Sequence, residues 1–176
     1  MTFVTSDLHL DHANIIRYCH RPFSDINEMN NSLIENWNSI VSPRDTVLCL
    51  GDFMMSVKSP EYFIQQLNGH IHLIKGNHDK YDTSYFVSAR SMWRYKYQGL
   101  SIFLCHYPML SWPGNIHLFG HVHSGSYKPL LGQANSYDVG VDNNNYRPIS
   151  IDEAIEKARQ NTRILSMQVP TGEINE

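Results

Sequence analysis

The chain has few cysteines, little positive charge and no long hydrophobic run. Its three cysteines, Cys19, Cys49 and Cys105, are an odd number and show no CxxC spacing, so the sequence predicts neither a disulfide framework nor a thiolate zinc site. Cys49 and Cys105 lie inside apolar runs and are expected to be small core residues.

The scarcity of positive charge restricts the classes of ligand. The formal net charge is −3, and Lys and Arg form no dense cluster that would contact the many phosphates of a long nucleic acid. A small phosphate ester is compatible with this charge, because bound cations would add positive charge at the site. No apolar run approaches the length of a membrane span and no signal-peptide pattern is present, so we expect a cytoplasmic protein that does not bind membranes.

The order of apolar segments predicts one domain over residues 1–176, because no repeat, low-complexity stretch or linker divides the chain. Residues 46–50 form a continuous apolar run, typical of a strand buried on both faces. Residues 24–41 carry apolar side chains at helical spacing. Gln98-Gly99 is a candidate two-residue turn between two strand-like segments. Early strands that alternate with helices, followed by hairpins, predict a layered α/β sandwich.

Ten histidines stand out against this ordinary composition. Histidine is the commonest metal ligand and a proton carrier near neutral pH. Five of the apolar runs end in metal-competent side chains: Asp7 and His9, Asp52, Asn77 with His78 and Asp79, His106, and His121 with His123. Ligands of open α/β sheets bind at the carboxyl ends of the strands. The sequence therefore predicts that these side chains meet in one cluster.

The order of these motifs resembles that of the calcineurin-like metallophosphoesterases. The chain matches the series in Asp7-x-His9, Gly51-Asp52, Gly76-Asn77-His78-Asp79, His106 and Gly120-His121-x-His123. Two further segments are similar to those of a group of small prokaryotic and phage phosphoesterases: Arg21-Pro22-Phe23 and Val139-Gly140-Val141-Asp142. The resemblance implies an α/β/β/α sandwich with a metal site at the carboxyl ends of the strands.

The resemblance also implies two divalent cations. The first would be bound by Asp7, His9 and His123, and the second by Asn77, His106 and His121. The Asp52 carboxylate would bridge them, and a hydroxide bound between them would attack phosphorus. Imidazole, carboxylate and amide ligands without thiolate suit Mn, Fe, Zn, Co or Ni, of which Mn is expected.

Local geometry is expected to favour these roles. Asp7 and His9 are separated by one residue, as are His121 and His123, so an extended backbone would point both side chains of each pair the same way. Glycines before Asp52 and before other ligands would let the backbone turn and approach the cations closely.

His78 and Asp79 are expected to be catalytic rather than ligating. By resemblance, His78 protonates the leaving oxygen or stabilises the phosphoryl group. Asp79 is expected to support His78 by a hydrogen bond or through its charge.

Candidate residues for contact with the substrate lie just after the first ligand pair. Asn14 and Arg17 either face the cleft, where Arg would match phosphate oxygens, or are solvated. His12 is a third candidate, and Asp11 either contacts solvent, orients His12 or caps a helix. Structural or surface roles are expected for four further histidines, His20, His70, His72 and His117, and a loop is expected for the run 142–145. Tyr107 and Trp112 either form an apolar wall of the cleft or pack in the core, and core packing is expected.

These features predict a metal-dependent phosphohydrolase, and a phosphodiesterase in preference to a monoesterase. Asp52 is followed by Phe-Met-Met, which departs from the Gly-Asp-x-Val-Asp-Arg-Gly signature of the serine/threonine protein phosphatases. The expected substrate is a small phosphate ester, for which a nucleotide-derived diester is one candidate. Two alternatives stay open: a non-catalytic scaffold of the same fold, and a nuclease that acts with a partner chain.

Metal loading tests the ligand assignment. Protein loaded with Mn²⁺ is expected to approach about two ions per chain, and chelation is expected to abolish hydrolysis. Asp52→Asn should weaken the binding of both ions, because an amide bridges two cations poorly. Elemental analysis of the dialysed protein measures both effects. Metal content near zero together with intact hydrolysis would contradict the assignment.

Overall fold

Two β-sheets flanked by helices make up the fold and confirm the expected α/β sandwich. The computed structural model describes residues 1–123 and 134–168, with side chains of the last helix described as far as residue 161. The strands in these ranges are β1 (Thr2–Thr5), β2 (Thr46–Cys49), β3 (His70–Ile74), β4 (Ser88–Arg90), β5 (Met92–Tyr97), β6 (Leu100–Cys105), β7 (Ile116–Phe119), β8 (Ser136–Asp138) and β9 (Ile149–Ser150). The helices are α1 (Ala13–Tyr18), α2 (Ile26–Asn38), α3 (Glu61–Ile64) and α4 (Ile151–Gln168), with a 3₁₀ helix at Val141–Asn143.

The order of strands places β1 and β2 inside the first sheet. Within the described residues, this sheet runs β4, β3, β2, β1, β9, and the second sheet runs β5, β6, β7, β8. Side chains of the β2 region alternate between two cores. Val47 and Cys49 pack with the helices, whereas Leu48 and Leu50 pack against the second sheet. This burial on both faces is the arrangement predicted from the apolar run 46–50.

Helix α2 begins and ends for local reasons. The Asp25 carboxylate caps it by accepting hydrogen bonds from two backbone N–H groups at the helix start, at 2.8 and 2.9 Å. The helix therefore begins at Ile26, later than the predicted start at residue 24, and ends at Asn38. Its apolar side chains face the first core at every fourth position: Met29, Leu33 and Trp37.

The predicted hairpin is present as β5 and β6, which pair antiparallel along their lengths. Gln98 and Gly99 have φ values of 45° and 79°, as a two-residue hairpin turn requires. Helix α4 starts after Ser150, whose Oγ accepts a hydrogen bond from the Glu153 N–H at 3.1 Å, and it extends to Gln168. Neither this helix nor any other in the described ranges has the length and apolar character that a membrane span requires.

The parallel strands of both sheets end at one edge of the molecule. Strands β1, β2 and β3 are parallel to one another, as are β6, β7 and β8. Just beyond the strand ends, Ser6 and Gly140 form a parallel bridge, and the Val141 N–H donates to the Ser6 carbonyl at 3.0 Å. The backbone therefore joins the two sheets at this edge.

Candidate metal centre

The segments that follow β1 and β2 continue to pair beyond the strands and carry three of the predicted ligands. The Asp7 N–H donates to the Gly51 carbonyl, and the His9 N–H donates to the Asp52 carbonyl, each at 2.9 Å. This pairing places Asp7 and His9 beside Asp52 at the carboxyl edge of the first sheet. All three side chains are buried.

The second sheet brings further histidines to the same place. His121 follows β7, and its N–H donates to both carboxylate oxygens of Asp7, at 3.1 and 2.9 Å. Three groups of potential metal-binding atoms occur among the described residues, and the atoms of each group lie within 4.8 Å of one another. One of them, formed by Cys19, His123 and Asp142, contains a single predicted ligand, and the other two consist of predicted ligands only. The first of these two groups consists of Asp7, His9 and His123, and the second of Asp52, His106 and His121.

The Asp52 carboxylate belongs to the second group and also lies close to a histidine of the first. Its Oδ2 is 3.6 Å from Nε2 of His9 and 3.5 Å from Nε2 of His106. The same His106 nitrogen is 3.1 Å from Oδ1 of Asn77. The structure therefore brings all seven residues predicted as ligands together, in the grouping expected for two cations bridged by Asp52. Their role as ligands stays a prediction.

Most of these residues adopt an unusual backbone conformation, which corrects the expectation of an extended one. Five of the seven have φ between 44° and 74°: Asp7, His9, Asp52, His121 and His123. Each such non-glycine residue costs about 1–3 kcal/mol, so surrounding contacts must hold it in place. The side chains of each pair therefore reach the site through left-handed turns rather than through strand alternation.

Gly51 and Gly76 leave no room for a side chain next to the ligands. A Cβ on Gly51 would lie 2.5 Å from Nδ1 of His106, and one on Gly76 would overlap Oδ1 of Asp52. Gly51 also has a φ of 97°, which favours glycine. The expectation that glycine permits a close approach is confirmed at these two positions.

Burial determines the charges of the centre. It disfavours the ionised carboxylate of Asp7 and raises its pKa to about 7. It also disfavours the charged imidazole of His9 and lowers its pKa to about 2. Burial opposes ionisation of Asp52 as well, but the hydrogen bond and charge of His106 outweigh it and the Asp52 pKa falls to about 2. Carboxylates packed against imidazoles form a donor set suited to cations.

One buried nitrogen of the centre has no hydrogen-bond partner in the described parts of the chain. This atom is Nε2 of His9, which faces the Asp52 carboxylate at 3.6 Å. An unpaired buried polar atom costs about 1–3 kcal/mol. A cation beside Asp52 would satisfy it, so the residues present fit a metal ion.

In two of the imidazoles, a contact with the protein occupies one ring nitrogen and leaves the other free to bind a cation. Nδ1 of His106 lies 2.8 Å from the Leu50 carbonyl, so it donates there and leaves Nε2 available. Nδ1 of His123 lies 2.8 Å from Oδ2 of Asp142. Burial opposes a positive charge on His123, but the contact with Asp142 outweighs it and raises the His123 pKa to about 10.

Asp142 and Arg21 belong to the site, which corrects the expectation that residues 142–145 form only a loop. The Asp142 side chain is 8 % exposed, and Nε of Arg21 donates to its Oδ1 at 2.8 Å. Neither residue shows a metal-ligand spacing. Both occur in the segments that resemble small phosphoesterases, so that resemblance was the available signal.

His78 lies at the centre, but Asp79 does not support it by the expected hydrogen bond. The His78 N–H donates to Oδ1 of Asp52 at 2.9 Å, and its ring centroid is 5.4 Å from that of His9. The buried Asp79 carboxylate instead accepts four hydrogen bonds, from the N–H groups of Asp52, Phe53 and Gly76 and from the Tyr81 hydroxyl. Asp79 therefore holds the segments that carry Asp52 and Asn77.

Of the three substrate-side candidates, His12 adjoins the centre. Its ring centroid lies 5.3 Å from that of His9 and 6.2 Å from that of His78. Asn14 and Arg17 are exposed on α1, where the guanidinium lies over a neighbouring tyrosine ring. The described contacts of these two side chains include none with a predicted ligand.

Asp11 joins the segment after β1 to two other parts of the chain. Its carboxylate accepts hydrogen bonds from the Ser56 hydroxyl and from the Asn30 amide. Lys58 forms an ion pair with it at 3.4 Å. Through these contacts, Asp11 fixes the position of the loop that follows β2.

Tyr107 lies beside the centre, which corrects its expected core position. Its side chain is 44% exposed, and its ring centroid is 4.8 Å from that of His121. Trp112 packs on the buried ring of His117 at 5.1 Å, and Nδ1 of His117 contacts the Phe103 carbonyl, so both residues are structural as predicted. The other histidines with expected structural roles are exposed or half-buried: His20, His70 and His72.

Comparisons with known proteins identify the family and the fold of the chain. The sequence matches the family described as calcineurin-like phosphoesterase over residues 2–166. It is 37% identical over 169 residues to an uncharacterized protein of Methanocaldococcus jannaschii, covering 89% of this chain and 92% of that protein. It is 35% identical over 82 residues to the Gene 66 protein of Mycobacterium phage L5, covering 44% of this chain and 39% of that protein. The crystal structure of a protein of unknown function from Aquifex aeolicus has a TM-score of 0.75 at 26% identity, covering 89% of this chain and 98% of that chain.

Asp79→Asn is expected to destabilise the protein and to weaken cation binding, because an amide NH₂ would face groups that donate to the carboxylate. The expected loss is about 1–3 kcal/mol for each donor left unpaired, measured by chemical denaturation of the metal-free protein. Tyr81→Phe is the matched control, since it removes one donor and leaves the backbone contacts intact. Unchanged stability and unchanged metal affinity in Asp79→Asn would contradict this role.

Proposed function

Because the chain belongs to the calcineurin-like phosphoesterase family, we propose that it is a phosphodiesterase that hydrolyses small phosphate esters with two divalent cations. Metal-dependent hydrolysis of phosphate esters is the general activity of this family. The number of cations, the preference for diesters and the choice of metal are the specific parts of the proposal.

The position of Asp52 is the main observation that supports the proposal. Its Oδ2 lies 3.6 Å from a nitrogen of His9 and 3.5 Å from a nitrogen of His106, which belong to opposite ligand groups. A carboxylate in this position can bridge two cations about 3.5–4 Å apart, as two-metal hydrolytic sites require. The unpaired Nε2 of His9 supports a cation on one side of this carboxylate.

The donor set suits Mn²⁺, Fe, Zn, Co or Ni, and Mn²⁺ is the metal that we propose. The two ligand groups combine imidazole nitrogens with carboxylate oxygens, and Asn77 adds an amide oxygen beside His106. When bound, the cations would polarise the phosphate oxygens and activate water for attack on phosphorus.

His78 is positioned to act on the leaving group. Its backbone N–H is fixed by Oδ1 of Asp52, and its half-buried imidazole adjoins the ring of His9. An imidazole in this position can donate a proton to a departing alkoxide. His12 lies beside it and offers a second polar group to the substrate. Asp79 would contribute indirectly, by holding the segment that carries Asp52.

The rim of the centre suits a small substrate. The exposed ring of Tyr107 beside His121 offers a face on which a nucleobase or another planar group can stack. The positive charge of Lys58 is paired with Asp11 at 3.4 Å. Among the described residues, this pairing reduces the attraction of Lys58 for the repeated phosphates of a long nucleic acid. A nucleotide-derived diester is the favoured substrate class.

A non-catalytic scaffold of the same fold is the alternative from another functional class. The complete set of seven candidate ligands favours catalysis, because a scaffold does not require them. The unpaired buried nitrogen of His9 also favours a bound cation. A nuclease that acts with a partner chain is the second alternative, and it is distinguished by its binding of DNA.

Replacement of His78 tests the mechanism. His78→Ala and His78→Asn are expected to retain both cations, because no ligand role is assigned to this side chain. Hydrolysis should fall about 10²–10⁴-fold for diesters with poor, alkoxide-like leaving groups. Esters of nitrophenol should lose much less, because nitrophenolate leaves without protonation. Steady-state kinetics on paired substrates, with metal content measured in each variant, gives the comparison.

Two outcomes of the His78 experiment would contradict parts of the proposal. Equal losses for good and poor leaving groups, with both cations retained, would assign His78 to stabilisation of the phosphoryl oxygens. Loss of a cation on replacement of His78 would overturn the ligand assignment.

Substrate size is tested by DNA binding and by competition between substrates. The isolated chain is expected to bind long DNA weakly and without a steep dependence on salt, because it has a net charge of −3 and no basic cluster. Small diesters should be hydrolysed faster than phosphoproteins. Fluorescence anisotropy at several salt concentrations measures the binding. Tight DNA binding that weakens sharply with salt would favour the nuclease alternative.

A further inference from the structure

Arg21 connects the segment that carries Asp7 with Asp142, a carboxylate that contacts His123 of the first ligand group. Its side chain is buried, and its guanidinium donates to the carbonyl of Asp7 at 2.7 Å and to that of Leu8 at 2.8 Å. It also donates from Nε and Nη2 to the two carboxylate oxygens of Asp142, each at 2.8 Å. One side chain thus holds the backbone of a ligand segment and a carboxylate that contacts another ligand.

Asp142 in turn contacts the imidazole of His123. Its Oδ2, which accepts from Arg21, also lies 2.8 Å from Nδ1 of His123. When Nδ1 donates to this carboxylate, Nε2 is the nitrogen that remains for the group formed with Asp7 and His9. A carboxylate in this position fixes the tautomer of an imidazole ligand and strengthens it as a donor to metal.

We propose that Asp142 and Arg21 are positioning residues that set the affinity of the cation site formed by Asp7, His9 and His123. Asp142 acts through the imidazole of His123, and Arg21 acts through Asp142 and through the backbone of Asp7. The inference rests on the proposed function, because it requires this ligand group to bind a cation.

The second ligand group is oriented by different contacts. Its His106 donates to the neutral carbonyl of Leu50 at 2.8 Å, and its His121 is exposed with its ring against Tyr107. A hydrogen bond to a neutral acceptor is weaker than one to a carboxylate. A change at Asp142 should therefore affect one cation site, and the other site serves as an internal reference.

The hydrogen bonds of Arg21 require the planar geometry of a guanidinium group. Its planar fork of N–H donors meets two oxygens of one carboxylate and, from the other side, two backbone carbonyls. Lysine would keep the positive charge but reach only some of these acceptors. Arg21→Lys therefore separates the geometry of the contact from its charge.

Titration of the metal-free full chain with Zn²⁺ by isothermal titration calorimetry, in the presence of a competing chelator, tests the proposal. Asp142→Asn is expected to weaken one of two binding steps by about 10–100-fold and to leave the other within about twofold. Arg21→Lys should weaken the same step by a smaller factor. If Asp142→Asn does not fold, the Arg21→Lys titration decides the question alone.

Asp45→Asn is the matched control variant. Asp45 is another buried carboxylate with an ion-pair partner, the amino group of Met1, and it accepts from the Ser42 N–H at 2.8 Å. It precedes β2 and therefore lies at the opposite end of that strand from the centre. This variant is expected to lose stability in thermal unfolding while both Zn²⁺ steps stay unchanged.

The ¹⁵N chemical shifts of the imidazole rings give a readout that a merely structural role would not move. Long-range ¹H–¹⁵N correlation spectra of the Zn²⁺-loaded wild type should show His123 protonated at Nδ1, and Asp142→Asn should shift this signal. The positioning role would be overturned if Asp142→Asn reduced stability but left the affinity of both Zn²⁺ steps unchanged. It would also be overturned if this variant weakened both steps equally. Absence of both Zn²⁺ and Mn²⁺ binding by the wild type would refute the proposed function together with this inference, whereas equal binding of two ions by all variants would refute the inference alone.

Discussion

The pairing between β1 and β2 continues past the ends of both strands, and the candidate metal centre depends on that continuation. Backbone hydrogen bonds run on through Asp7, His9 and Leu10 to the segment after β2, and a parallel bridge joins Leu10 to Met54. Each hydrogen bond sets the position of one segment along the other. Two candidate ligands of the first group and the Asp52 carboxylate therefore share one ladder, which positions them more accurately than flexible loops would.

The centre concentrates features that are unfavourable in isolation. Positive φ values at five candidate ligands, buried carboxylates and the unpaired nitrogen of His9 each raise the free energy of the folded chain. The contacts that offset these costs lie next to the ligands. Asp79 accepts four hydrogen bonds around the segment of Asp52, and Arg21 occupies carbonyls and a carboxylate around the first ligand group. Stability and cation binding therefore involve the same small set of residues.

The parts of this structure that could be predicted from the sequence are those with a local signal. The apolar run of β2, the turn at Gln98-Gly99 and the motifs at the strand ends each occupy a few consecutive residues. The contact between Arg21 and Asp142 joins residues 121 positions apart, and neither residue has a spacing that marks it. The hydrogen bonds of Asp79 also depend on how separate segments meet. The left-handed backbone of the candidate ligands could not be predicted, because aspartate and histidine adopt it more often than most residues but still at only a small fraction of positions.

The bridge between Ser6 and Gly140 has a consequence for the order in which the protein folds. It joins the segment after the first strand to the segment after β8, and β9 then returns to pair with β1. Contacts between such distant residues form slowly, since a long loop must close before they are made. During synthesis, a nascent chain therefore cannot complete the centre until its last strands have emerged. A cation held jointly by candidate ligands from both sheets would require those sheets to have docked, so its retention would report this docking.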